Sequence, residues 1–260
     1  MRIEGTGNAM TEDEVWEKRF RELAKKSYYG GCYTFTPFLS PDKVALFYRM
    51  EKELSYAGYC LSGGVEGAER QVLRFGDTKT LGYEEEFPIV CLLAEPLAPK
   101  FAEELTHRDF LGALMNLGIE RELIGDMVVR EKTCLIFCLE RIAEYIEENL
   151  TRVRHTGIRI TVLDETPETA GPRYQEEQVI VSSERVDALI AKLYHLSRSE
   201  SAGLFQAKKI FVGGRQCENA GYLCKDGDIV SVRGYGKFLV CGNFNITGKG
   251  RLRVTLKIYQ

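Results

Sequence analysis

The sequence predicts an α+β protein in three successive parts: an N-terminal α/β region (1–76), a middle domain (77–166) and a basic C-terminal domain (179–260). Three observations carry this expectation. Between residues 87 and 163, runs with strand and helix periodicity alternate in the order βαββαβ. Between 185 and 238, two short helical stripes precede a set of strands and tight turns. Charge is also partitioned: residues 180–260 hold 13 Lys+Arg against 6 Asp+Glu, while the other 179 hold 22 against 32. The net values, +7 and −10, make up the −3 of the whole chain. A basic domain on an acidic body is the pattern of a phosphate-binding module on a carrier.

The N-terminal region opens with MRIEGTGNAMTEDEVWEKRF, which is acidic and has no apolar segment, so it does not read as a signal peptide. Met1–Asn8 leaves two readings, an upstream start or a cloning remnant, with Met10 as the natural beginning in either case. Further on, Gly63-Gly64-x-x-Gly67-Ala68-Glu69-Arg70 lacks the Gly-Lys-Ser/Thr of a nucleotide loop. These glycines are expected to make a turn, and a docking role for Arg70 stays open.

In the middle domain, Phe87–Ala94 reads as a buried strand. Thr106 caps a helix with Asp109 three residues on, and Phe110, Leu111, Leu114 and Leu117 line its face. Met127–Arg130 and Thr133–Leu139 form a hairpin turning at Glu131-Lys132. Ile142, Tyr145, Ile146 and Leu150 mark a second helix, and Ile158–Leu163 a last strand. This order resembles the split βαβ plan of ferredoxin-like and RRM folds. The third strand lacks the aromatic and basic signature with which an RRM sheet stacks bases, and its only aromatic, Phe137, is expected in the core. His107-Arg108-Asp109 mimics a kinase catalytic loop, but that motif requires an asparagine at 114, where Leu114 stands. A helix N-terminus accounts for the triplet more simply.

In the C-terminal domain, Val186, Leu189, Ile190 and Leu193 recur at i, i+3, i+4, i+7, one face of a short helix, and His195 is expected at its end. Ser197 with Glu200 forms a capping box opening a second helix. Ile210–Val212, the turn Gly213-Gly214, and the turn Asp226-Gly227 leading into Ile229–Arg233 follow. The ordered set Ser197-Arg198-Ser199 and Gly227-Asp228-Ile229-x-Ser231-Val232-Arg233-Gly234 resembles the S4 RNA-binding domain. Two positions depart from that pattern: Lys208 stands where glycine is usual, and Gly213 where asparagine is usual. Lys208 takes the position at which glycine most easily ends a helix. In the last segment, Leu252, Val254, Leu256 and Ile258 alternate with Arg251, Arg253, Thr255 and Lys257. Either this strand widens the basic surface, or its charges keep a sheet edge soluble.

Composition excludes several classes. The longest apolar runs, such as Ile89–Ala94, are far too short for a bilayer, so no membrane partner and a cytoplasmic location are expected. Eight cysteines at 32, 60, 91, 134, 138, 217, 224 and 241 include no Cys-x-x-Cys pair, and histidines number three. Zinc would require close pairs, so no metal is expected, and Cys91, Cys134 and Cys138 read as small apolar side chains. No glycine loop of a dinucleotide or methyl-donor site is present, so no cofactor is expected, and no nucleophile, base and orienting group assemble into a catalytic set.

A resemblance also runs along the whole chain. Phe38-Leu39-x-Pro41, Gly63–Arg70, Leu105–Ile119 and Gly125-Asp126 are similar to the YlmH-type RNA-binding proteins, with Gly-Gly-Val where that family commonly has Gly-Gly-Tyr. The resemblance implies an S4 domain behind an RRM-like middle domain. It further implies a bacterial, non-catalytic factor that binds structured rRNA and tRNA on large ribosomal subunits blocked by peptidyl-tRNA, in ribosome-associated quality control. The RNA-binding residues expected are Arg185, Arg198, Lys208, Lys209, Arg215, Arg233, Lys237, Arg251 and Arg253, with Arg198 the principal contact. Two other classes stand beside this one. One is an RNA-modifying enzyme using the S4 domain as a handle; the other is a division-associated scaffold whose acidic N-terminal part binds a protein partner.

Overall fold

The structure is a computed structural model that describes residues 10–167, 170–246 and 250–259, so Met1–Asn8 lies outside the described residues. The chain divides into two compact units, 1–171 and 172–260. Unit 1 opens with α1 (Glu12–Gly30), β1 (Thr34–Leu39), α2 (Pro41–Leu54), β2 (Tyr59–Ser62), β3 (Gln71–Phe75) and the short α3 (Thr78–Leu81). Thr11 and Glu14 form a capping box that starts α1, and Gly31 in the left-handed region ends it. The strands pair in the order β1-β3-β2, all antiparallel, so the expected α/β character of this region gives way to α+β. The strand β3 inserts between β1 and β2, so the two strands that α2 connects run parallel without pairing, and each pair in the sheet is antiparallel. Trp16, Phe20, Leu46 and Phe47 of the helices pack on Leu39, Leu73 and Phe75 of this sheet.

The rest of unit 1 is β4 (Ile89–Pro96), α4 (His107–Asn116), β5 (Ile124–Arg130), β6 (Thr133–Leu139), α5 (Ala143–Asn149), the two-residue β7 (Arg152–Val153) and β8 (Thr156–Leu163). They form an antiparallel sheet in the order β5-β6-β4-β8-β7. Leu92, Ala94, Cys134, Ile136 and Ile160 face Phe110, Leu114 and Ile146 of α4 and α5. Because side chains alternate along a strand, Cys91, Leu135, Phe137 and Leu139 point the other way. That second face is covered by Phe38, Val72 and Ala170, with Phe35 and Val65 packed beside them. The run Thr133–Leu139 is therefore buried on both faces, and Phe137 has no exposed surface.

The glycine motifs explain how the N-terminal sheet seats so closely. A Cβ on Gly64, which has φ 86°, would lie 2.8 Å from the Phe137 ring, and one on Gly125 would lie 2.6 Å from Phe38. Arg70 closes the joint. Its Nε donates to the Ile124 carbonyl at 3.0 Å, and its Nη2 to those of Phe38 and Arg121 at 3.0 and 3.3 Å. In return, the Asp126 carboxylate accepts from the backbone N–H groups of Glu69 and Arg70, at 2.7 and 3.2 Å. Burial raises the Asp126 carboxyl above its ordinary value and pushes Arg121 beside it down to about 10. Gly63–Arg70 and Gly125-Asp126 thus clasp one another, and the turn carries a dock.

Unit 2 consists of β9 (Tyr174–Val181), α6 (Val186–Leu193), α7 (Arg198–Gln206), β10 (Ile210–Val212), β11 (Arg215–Gln216), β12 (Ile229–Val232), β13 (Gly236–Ile246) and β14 (Leu252–Tyr259). Its six-stranded sheet runs β11-β10-β12-β13-β14-β9. The apolar stripe of α6 packs on Val179, Val230, Phe238, Val240, Val254 and Leu256. β14 is not an edge: it lies between β13 and β9, matched to β9 from Leu252↔Val181 to Tyr259↔Tyr174. The edge-protection reading of its charges therefore fails. The expected domain start at 179 falls inside β9. Gly213 and Gly214, both at positive φ, form the two-residue turn between β10 and β11.

Candidate nucleic-acid interface

The helical side of unit 2 carries a groove of about 570 Å³ between the end of β9 and the two helices. Its polar lining is Ser182, Ser183, Arg185, Lys192, Arg198 and Ser201, with Asp187 as its acid. Arg185 precedes α6, and Lys192 stands seven residues on, two helical turns along the same face. Arg198 is the first residue of α7, and its side chain is exposed. The capping box sets its position: the Ser197 oxygen accepts from the Glu200 N–H at 3.2 Å, and the Glu200 carboxylate accepts from the Ser197 N–H at 2.7 Å.

Two details correct the expectation for this end. The Glu200 carboxylate, held below its ordinary value by Ser197, already answers the positive end of the α7 dipole. The positive charge left exposed at this end is the Arg198 guanidinium, not the helix terminus. Arg185 is also engaged: its Nε and Nη2 bind the two Asp187 oxygens at 3.0 and 2.7 Å, which offsets much of its charge. Lys192, which the sequence reading passed over, is exposed and lines the same groove. Its seven-residue spacing from Arg185 was the available signal.

The remaining expected residues are not brought to this groove. Lys208 and Lys209 follow α7, where the Lys208 N–H donates to the Phe205 carbonyl and the Lys209 N–H to that of Leu204, each at 3.0 Å. These bonds make a Schellman motif with Lys208 at φ 56°, the left-handed position that glycine ordinarily takes. Lys208 also meets Glu218 at 3.8 Å, both side chains well exposed, a contact worth little. Arg215 starts β11. Arg233, Lys237 and Arg253 lie on the sheet face opposite the helices, and Arg251 just precedes β14. On that face the Arg233 guanidinium stands 4.4 Å from the Phe211 ring centre and the Lys237 ammonium 4.1 Å from that of Tyr259. Burial pushes Lys237 down to about 8.

Elsewhere, residues singled out as chemical candidates take structural places. Thr106 and Asp109 form a capping box on α4, so His107-Arg108-Asp109 is a helix start. His195 follows α6 at φ 54°. Cys91 and Cys138 are buried, their thiols pushed up to about 11 and about 12. Cys217 and Cys224 are buried in the core of unit 2. Among the described residues, no three His, Cys, Asp or Glu side chains are grouped to hold a metal, and no helix is long and apolar enough to cross a membrane.

Residues 83–166 match the family described as "Putative RNA-binding domain in YlmH". Over 224 residues the chain is 27% identical to the ribosome-associated protein quality control protein P2 of Bacillus subtilis, covering 85% of this chain and 86% of that protein. A solved structure of the cell division protein ylmH from Streptococcus pneumoniae matches with a TM-score of 0.47 and 25% identity, covering 62% of this chain and 94% of that one. The domain match and the long alignment bear out the resemblance to YlmH-type proteins. The matched segment holds β4 to β8 in unit 1, whereas all nine cations expected to bind RNA lie in unit 2.

Proposed function

We propose that this YlmH-type chain is a non-catalytic RNA-binding factor acting on the ribosome. Its RNA would be structured rRNA and tRNA, on large subunits carrying peptidyl-tRNA. The observation that carries the reading is the groove on the helical side of unit 2, where Arg198 and Lys192 are presented at the surface. Unit 2 holds 14 Lys+Arg against 8 Asp+Glu, while unit 1 holds 21 against 30, so phosphate would be drawn to the former. Two short helices packed on a sheet with cationic joints support an S4-type module. The antiparallel sheet with α4 and α5 on one side supports an RRM-like middle domain.

The relative in Bacillus subtilis is named for ribosome-associated quality control, and that is the setting we propose for this chain. The middle domain contributes in a restricted way. Base stacking by an RRM uses the open face of its sheet, and here that face lies beneath Phe38, Val72 and Ala170. Its RNA contacts would have to come from loops or edges. Arg198→Glu leaves the Ser197–Glu200 cap and the apolar faces intact, so the full-length variant should keep its circular dichroism spectrum and lose co-sedimentation with large subunits. Wild-type co-sedimentation by the folded variant would place the contact elsewhere. A modified nucleotide that vanished with the gene and returned with the purified protein would overturn the non-catalytic part.

A further inference from the structure

The outer face of the unit 2 sheet repeats one chemical pairing three times. Arg233 lies over Phe211 at 4.4 Å, Lys237 over Tyr259 at 4.1 Å, and Lys257 over Tyr174 at 5.7 Å. Strand register explains the repetition. Phe211 is opposite Ser231, Ser231 opposite Lys237, and Phe238↔Ile258 with Tyr259↔Tyr174 brings Lys237, Tyr259 and Tyr174 together. A band of aromatic and cationic side chains therefore crosses the sheet from Phe211 on β10 to Tyr174 on β9. The Tyr174 and Tyr259 rings meet edge to face, with centres 4.9 Å apart. None of these residues belongs to the apolar core that α6 and α7 cover. All of them retain partial or full exposure, and Arg253 adds a further exposed cation on the same face.

We infer that this face is a second RNA site, one that takes unpaired nucleotides. Aromatic rings and planar guanidinium groups offer stacking surfaces to bases of any sequence, and interleaved ammonium groups hold the phosphates between them. The groove beside Arg198 has the opposite composition, cations and serines without an aromatic ring, which suits the phosphates of a duplex. The two sites lie on opposite sides of one sheet, so a single short helix cannot fill both. Glu176, paired with Lys257 at 3.7 Å, is the acid on this row's margin and would release its partner to a phosphate. The inference rests on unit 2 being an RNA-binding module, but it is tested separately from the groove.

The experiment uses full-length protein and two labelled probes, an unstructured 12-nucleotide RNA and a stable hairpin without single-stranded tails. The double variant Phe211→Leu with Arg233→Gln keeps an apolar side chain at 211 and should weaken the unstructured probe by roughly tenfold or more, from the usual cost of losing one stacked base. Hairpin affinity should stay within about twofold, and Arg198→Glu should give the reverse pattern. A 4-thiouridine version of the unstructured probe should crosslink to peptides containing Phe211, Tyr174 or Tyr259, a readout that does not depend on any variant folding. Failure of the wild-type protein to bind the unstructured probe, crosslinks confined to other peptides, or equal loss of both probes in the sheet variant would overturn the inference. Loss of hairpin binding alone in the wild type would sink the groove and leave the sheet site standing.

Discussion

Lys208 sits at φ 56° and closes the Schellman turn after α7, a conformation that costs a side-chain-bearing residue about 1–2 kcal/mol. Lys208→Gly should raise the stability of unit 2 by about 1 kcal/mol in urea unfolding, net of the greater entropy glycine brings to the unfolded chain. The same change removes a surface cation, so RNA affinity should fall slightly as stability rises. Lys237 gives a pH signature. Its pKa is about 8 in the folded chain against an ordinary 10.5, because burial disfavours the ammonium. Between these values the unfolded chain binds more protons, so this group's cost to stability is complete below pH 8 and is relieved as pH rises towards 10.5. Lys237→Gln should therefore stabilise at pH 7 and abolish that rise. Affinity for the unstructured probe should drop between pH 7 and 9 in the wild type, where Lys237 discharges, and not in Lys237→Arg. Of these residues, the departure at Lys208 was legible in the sequence, whereas the burial of Lys237 arises only in the assembled sheet, where Tyr259 of the next strand lies against it, and could not be.

Elements with a local signature were legible and those defined by a partner were not. The Ser197–Glu200 box, the Val186–Leu193 stripe and the Gly213-Gly214 turn are short-range patterns, and each appears in the structure where the residues place it. β9 escaped because Tyr174-Gln-Glu-Glu-Gln178 is polar on both sides, and its strand character comes from pairing along the whole of β14. α1 was legible but unread: Thr11 with Glu14 is a capping box, and Trp16, Phe20 and Ala24 repeat every fourth residue. A fragment beginning at Arg173 should fold cooperatively by circular dichroism, and one beginning at Ser182 should not, since it exposes Val254 and Leu256 along an unpaired edge. Equal cooperativity in both would show that β9 adds nothing to the sheet. The clasp between Gly63–Arg70 and Gly125-Asp126 makes a matching claim for unit 1. Arg70→Met removes the guanidinium that donates to the Phe38, Arg121 and Ile124 carbonyls, of which Ile124 keeps the Arg121 guanidinium, and leaves the buried Asp126 with Arg121 but not Arg70 beside it, so it should cost about 2 kcal/mol in chemical unfolding. A loss under 1 kcal/mol would mean that apolar packing alone seats the two sheets.

At the scale of the molecule, the charge partition was the most legible feature, because it needs no geometry. What it could not show was division of the cations. Nine residues read as one surface are split by a sheet: Arg185 and Arg198 on the helical side, Arg233, Lys237 and Arg253 on the other, with Lys208, Lys209 and Arg215 near the turns and Arg251 just before β14. Strand alternation decides this, and it depends on a register that only the assembled sheet reveals. The covered face of the middle domain is a similar case, since Phe137 looks the same in sequence whether bases or Phe38 lie over it. The proposal on which the others depend is that the groove on the helical side holds structured RNA through Arg198 and Lys192. It is tested most directly by titrating full-length protein carrying Arg198→Glu and Lys192→Glu with the tail-free hairpin across a salt series. The expected outcome is a folded variant that binds more weakly by about tenfold or more, with a log–log salt slope shallower by about 2 than the wild type, one unit for each phosphate contact removed. A folded variant with unchanged affinity and an unchanged slope would contradict it.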